Sequence, residues 1–204
     1  FKFGPAAPQV PSGGMTDSAP VRWDEDCLTL NVSAPVSISN TSASRPVLVW
    51  IHGGGYRTGQ GAIPWYNGTR FARDQDIVVV SINYRLGALG FADLTHLGDE
   101  FKTSNVNGML DQIAALQWVQ RNIEAFGGDP KRVTIAGESA GAFSVGALMG
   151  CSAAQGLFSQ AIAQSGAAHH TLPPAAAQTV GQTFCEHLGQ NNAVGVMAAS
   201  VEDI

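Results

Sequence analysis

Apolar positions in this chain follow three patterns. From Cys27 to Ser33, Leu28, Leu30 and Val32 alternate with polar neighbours, which predicts a half-buried strand. Residues 47–51 and 77–82 are near-continuous runs of Val, Leu and Ile, the pattern of strands buried on both faces of a parallel sheet. Residues 133–136 and 161–163 are weaker versions. Between the second and third of these four runs, Met109, Ile113, Leu116, Val119, Ile123 and Phe126 recur at helical spacing. Gly127 and Gly128 are expected to stop that helix, and Asp129-Pro130 to turn the chain into the next strand. A Pro-initiated, Ala-rich helix is predicted over 173–188, and Ser200, with Glu202 and Asp203 behind it, reads as a helix start. Residues 1–22 and 34–45, crowded with small and turn-forming residues, carry no predicted element.

Strand, helix and strand at these lengths make right-handed crossover units. The expected architecture is α/β, a mostly parallel sheet with helices on both faces. One domain over 1–204 is expected, with 1–22 as an irregular surface segment.

Composition narrows the function. Of 204 residues, 45% are apolar and 13% charged, a chain that must pack. Eleven basic against 16 acidic residues and a pI near 5.4 leave no basic patch for nucleic acid or an anionic membrane. No apolar run approaches the roughly 18 residues of a spanning helix. Three widely spaced cysteines fit neither a metal cluster nor a closed disulfide framework, which leans towards a reducing compartment and, for location, towards cytoplasmic over secreted. Asn31, Asn40 and Asn67 head Asn-x-Ser/Thr triplets, glycan acceptors only in a secreted eukaryotic protein and common by chance. The chain starts at Phe1 without Met and stops at a helix start, so both ends are expected to be cut.

Gly137-Glu138-Ser139-Ala140-Gly141 directly follows a predicted strand and opens a predicted helix. A nucleophilic serine on such a turn needs strained dihedrals, and side chains two residues to either side would collide, so Gly137 and Gly141 supply room. The helix N-terminus aims unpaired N–H groups at the serine, where negative charge develops during acyl transfer. The alternative is small residues that merely let a helix pack closely.

His52-Gly53-Gly54-Gly55-Tyr56 leaves another buried strand on the same expected rim. Three glycines weaken any regular element, and the functional reason is bare backbone N–H groups that can approach a substrate oxygen. The N–H groups of Gly54, Gly55 and Ala140 are the expected oxyanion hole, with Gly53 as the turn.

With these residues in place, the chain resembles the type-B carboxylesterase/lipase family of α/β-hydrolases, which includes cholinesterases and para-nitrobenzyl esterases. Residues 24–32 (DEDCLTLNV), 52–55 (HGGG), 83–85 (NYR), 126–130 (FGGDP) and 137–141 (GESAG) carry the likeness, which runs from Phe3 to about Ala168. The resemblance implies a carboxylic-ester hydrolase with Ser139 as nucleophile, a small-molecule ester as substrate, and no metal or organic cofactor. It makes Glu138 a buried acidic neighbour that tunes the site's field, with a purely structural hydrogen-bonded glutamate as the alternative. Where the family usually carries a cysteine bonded to the counterpart of Cys27, this chain has Ala7, so Cys27 is expected to be a free thiol. Family members are more than twice as long, and their catalytic acid and histidine lie downstream of the elbow. The resemblance therefore implies a fold truncated before its C-terminal strands and a fragment inactive by itself.

Local histidines are weak substitutes for the missing base. His52 belongs to the glycine loop; His96 and His187 are expected to be solvated bystanders. His169 and His170 should emerge on the active-site rim as pocket wall. Asp111 is expected to pair with Arg85 as a structural ion pair. Two competing readings remain: a non-catalytic cholinesterase-like binding module, and a hormone-sensitive-lipase-like esterase.

Overall fold

The computed structural model describes residues 2–10, 22–36 and 45–204. Asn40, most of the irregular stretch at 1–22 and most of the loop at 34–45 lie outside the described residues.

Five strands form one sheet in the order β1-β3-β2-β4-β5. They are β1 Leu30–Ser33, β2 Arg45–Ile51, β3 Val78–Ile82, β4 Gly128–Glu138 and β5 Gln160–Gln164. Only β1 runs antiparallel to its neighbour. Val49 pairs with both Val80 and Ile135, so the continuous apolar runs occupy the centre of the sheet, as buried parallel strands must.

One face is the core. Val47, Val49, Ile51, Val80, Ile82, Val133 and Ile135 pack there against Ile113, Leu116 and Val119 of α3 (Asn107–Asn122) and Val145 and Leu148 of α4 (Ala140–Gly150). Each fully buried Leu, Ile or Val contributes about 1.5–3 kcal/mol. On the opposite face lie a short turn, Pro64–Tyr66, and α1 (Thr69–Gln75). With Leu48, Trp50, Ala136 and Ile162 they line an apolar groove, and the buried Trp50 indole N–H has no partner among the described residues. A second small core joins Ala92 and Leu94, just after α2 (Gly87–Phe91), to Cys185 of α5 (Pro174–Leu188) and Val196 of α6 (Ala193–Ala198).

The structure departs from the sequence reading in four places. Asp129-Pro130 does not turn the chain; both lie inside β4, and Gly127 reverses direction with φ of 81°. The α1, α2 and α6 helices have five to seven residues, too few for a periodic signal. Ser200 starts no helix and instead bonds Asp203 at 2.7 Å in a turn. β5 is an exposed edge strand, with Ile162 45% accessible, so its short apolar run does not mark a buried strand here. No helix among the described residues is long and apolar enough to cross a membrane.

Candidate active site

β4 ends at Glu138, and α4 begins at Ala140. Ser139 alone makes the turn, at φ 53° and ψ −119°, conformations that cost a non-glycine residue on the order of 1–3 kcal/mol. Its N–H donates to Gln164 O at 2.9 Å, and its carbonyl accepts from Phe143 N–H at 3.0 Å, which locks both sides of the bend. The glycines around it are sterically required. A Cβ on Gly137 would strike the Gly141 carbonyl carbon, and one on Gly141 would strike the Ile51 carbonyl oxygen. Ser139 is half-buried, and its hydroxyl has no hydrogen-bond partner among the described residues.

The glycine loop leaves β2 and meets this elbow directly. A Cβ on Gly53 would lie 2.7 Å from the Glu138 carbonyl oxygen and 3.3 Å from the Ser139 Cβ. Gly53 is therefore the close-approach residue and not the turn. The reversal falls to Gly54 and Gly55, at φ of 110° and 62°, with Arg57 and Thr58 N–H groups both bonded to Gly54 O at 3.0 Å. Residues that carry this reversal leave their own amides free of β2 pairing. Gly54 is half-buried and Gly55 exposed, open to an approaching ligand.

His52 anchors the loop. Its ring is buried, stacks on Tyr84 at a centroid distance of 4.4 Å, and has Nδ1 at 2.8 Å from Gly53 O. A carbonyl only accepts, so Nδ1 carries the proton. Burial pushes the imidazole pKa down to about 4, against the smaller upward effect of the Gly53 bond. His52 is thus a neutral scaffold group. Gly59, at φ 111°, closes over it, since a Cβ there would strike His52 Nδ1, and Gln9 holds Gly59 by reciprocal bonds of 2.8 and 2.9 Å.

The NYR segment pins several distant pieces of chain. Asn83 accepts from Gly61 N–H at 2.7 Å and donates to Pro5 O and Cys27 O. Tyr84 donates to His52 O at 2.7 Å. Arg85 forks onto Asp111 with two bonds of 2.8 Å, the expected ion pair. The motif and the Arg85–Asp111 pair were legible, but the partners of Asn83 and Tyr84 were not, because only the fold brings those distant segments together.

Glu138 is half-buried beside Gly53, and its carboxylate makes no hydrogen bond among the described residues. Burial raises the Tyr66 phenol pKa, and the Glu138 charge raises it further. His169 and His170 are exposed; both pack on Phe143 of α4, His169 edge-on at 5.9 Å and His170 stacked at 4.3 Å. Neither hydrogen-bonds Ser139. Cys27 is free and buried in the same core cluster as Ala7, with its thiol pushed up to about 11 by burial. No cluster of three His, Cys, Asp or Glu suited to a metal ion exists among the described residues.

A mostly parallel sheet in which an inner strand, β4, runs through a strained serine into a helix, with a glycine loop packed on that serine, defines an α/β-hydrolase. A family model described as the Carboxylesterase family matches residues 1–200, and the chain belongs to that family, the type-B carboxylesterases. It is 48% identical over 198 residues to a phenmedipham hydrolase of Pseudarthrobacter oxydans, covering 93% of this chain and 38% of the relative. Against the para-nitrobenzyl esterase of Bacillus subtilis strain 168 it is 46% identical over 170 residues, covering 83% and 34%. A solved PNB esterase structure superposes with a TM-score of 0.90 at 42% identity, over 99% of this chain and 41% of that one. The Geobacillus stearothermophilus carboxylesterase gives 0.88 at 40% identity, again over 99% and 41%. The chain therefore spans about two-fifths of the length of the relatives it matches.

Proposed function

We propose that this chain is the nucleophile-bearing part of a serine carboxylesterase, with Ser139 attacking the carbonyl of a small carboxylic ester. The observation that carries this reading is the contact between Gly53 and the Ser139 turn, which brings the Gly54 and Gly55 loop to the N-terminus of α4. In this mechanism the N–H groups of Gly54, Gly55 and Ala140 receive the oxyanion. The serine proton passes to a general base and then to the leaving alcohol, and water, activated by the same base, clears the acyl-enzyme. The Ser139 hydroxyl has no hydrogen-bond partner among the described residues, which supports a base and acid supplied from outside residues 1–204. Glu138, whose carboxylate lies beside the turn and makes no hydrogen bond among the described residues, acts through the site's field.

The test measures p-nitrophenyl acetate hydrolysis by the 204-residue chain, Ser139→Ala, and His169→Ala/His170→Ala. The expected outcome is no enzyme-like turnover, because loss of a triad member costs several orders of magnitude in rate. Sustained turnover abolished by both variants would make a local histidine the base and overturn the external-base reading. A chimera that joins residues 1–204 to the remaining C-terminal part of the B. subtilis para-nitrobenzyl esterase should hydrolyse the ester, and Ser139→Ala should abolish that activity.

A further inference from the structure

Tyr56 stands where the glycine loop ends, a non-glycine residue held at φ 59°. Such a conformation persists only where the surroundings over-determine it. Three contacts do so. Gly87 N–H donates to the Tyr56 carbonyl at 2.8 Å, the ring tilts against Phe91 at 4.7 Å, and the Ser144 hydroxyl donates to the phenol oxygen at 3.3 Å. Ser144 is fully buried on the second turn of α4. Its oxygen accepts from Gln112 Nε2 at 3.1 Å, and Gln112, on α3, is also fully buried.

The other half of the Gln112 amide is unsatisfied: Oε1 is buried with no partner among the described residues. An apolar residue of the same size would avoid that cost, so the contribution of Gln112 here is the bond it gives to Ser144. The chain from Gln112 through Ser144 to Tyr56 thus ties three elements together: α3, the helix that starts at the Ser139 turn, and the loop that carries Gly54 and Gly55.

We propose that Gln112 and Ser144 are positioning residues that act through the Tyr56 phenol. They hold the Gly54–Gly55 backbone in register with the first turn of α4, so that the loop amides and the Ala140 amide address one oxygen. A helix is rigid over two turns, so a loop referenced to Ser144 is referenced to Ala140 as well. The inference rests on the reading that these three amides share an oxyanion.

Two measurements test it. Hydrogen exchange of the 204-residue chain, read by mass spectrometry, compares wild type, Tyr56→Phe, Ser144→Ala and the double variant. Losing one hydrogen bond should speed exchange over residues 53–58 by about fivefold to tenfold in either single variant, with β2 and β3 unchanged. The double variant should be no faster than the singles. No acceleration at 53–58, or acceleration matched in β2 and β3, overturns the proposal. In the chimera, Tyr56→Phe, Ser144→Ala and Gln112→Leu should each lower kcat about 10- to 100-fold with KM within about twofold, because misplaced donors weaken transition-state binding. A raised KM with kcat unchanged overturns it. Chimera activity that survives Ser139→Ala would remove the nucleophile reading, while the exchange result still judges the positioning chain.

Discussion

The Tyr84 hydroxyl donates to the backbone carbonyl of His52 at 2.7 Å while the two rings stack 4.4 Å apart. One residue of the NYR segment thereby fixes both the backbone and the side chain that start the glycine loop. The imidazole is held buried and neutral, so this anchor responds to pH.

The sign of that response follows from His52 being pushed down to about 4 from an ordinary value of 6.5. Between those values the unfolded chain binds the proton and the folded chain does not, so stability is present above about pH 6.5 and is lost as pH falls towards 4. Urea denaturation should show a loss on the order of 2 kcal/mol between pH 7.5 and pH 5 attributable to this group. His52→Asn should flatten that part of the profile. An unchanged pH profile in the variant would mean that the imidazole does not titrate as the packing requires.

Close approach at the elbow leaves no room for a methyl group. Gly53→Ala places a Cβ 2.7 Å from the Glu138 carbonyl oxygen, and Gly141→Ala places one against the Ile51 carbonyl oxygen. Backbone atoms cannot swing aside as side chains can, so each substitution should cost about 1–3 kcal/mol in the urea transition. Gly150→Ala, where an added Cβ meets nothing within 4 Å, is the control and should be neutral or slightly stabilising.

The Arg85–Asp111 fork joins the end of the NYR segment to α3, and Asp111 Oδ2 also accepts the Arg85 backbone N–H at 3.0 Å. The Asp111 side chain is 6% exposed and Arg85 35%. Asp111→Asn keeps the shape but removes the charge and one acceptor, leaving the guanidinium partly desolvated. A loss of about 2 kcal/mol is expected by thermal or urea unfolding, less than for a fully buried pair because Arg85 retains water. Arg85→Lys, which cannot fork, should recover little of the pair's contribution.

Cys27, which shares its core cluster with Ala7, and Cys151 and Cys185 are all free thiols. Labelling in denaturant without reductant should count all three, as the free cysteines at 27, 151 and 185 require. In the native chain Cys151, which is half-buried, should react first. Cys27, held near 11, is a thiolate in only roughly one part per thousand at pH 8 and should react slowest. A count of one would reveal a disulfide and refute the assignment.

Residue order alone was enough for the parts of this protein whose physics is local. Runs of Val and Ile, a period of three to four across 109–126, and glycines two residues on either side of Ser139 act between neighbours in the chain, so the sheet, α3 and the elbow could be read directly. Short helices such as α1 and α2 escaped because five to seven residues carry no period. Tertiary structure decided the rest. Gly53 rather than Gly54 had to be the close-approach residue because of where Glu138 arrives from β4, and His52 became a buried neutral anchor because Tyr84 closes over it. Ser144 and Gln112 look like unremarkable helix residues until the fold brings Gln112 of α3 to Ser144 of α4 and Ser144 to Tyr56. Their meaning depends on partners 32 and 88 positions away in the chain. Contacts at that separation are set by strand order and crossover, and no periodicity or spacing encodes them.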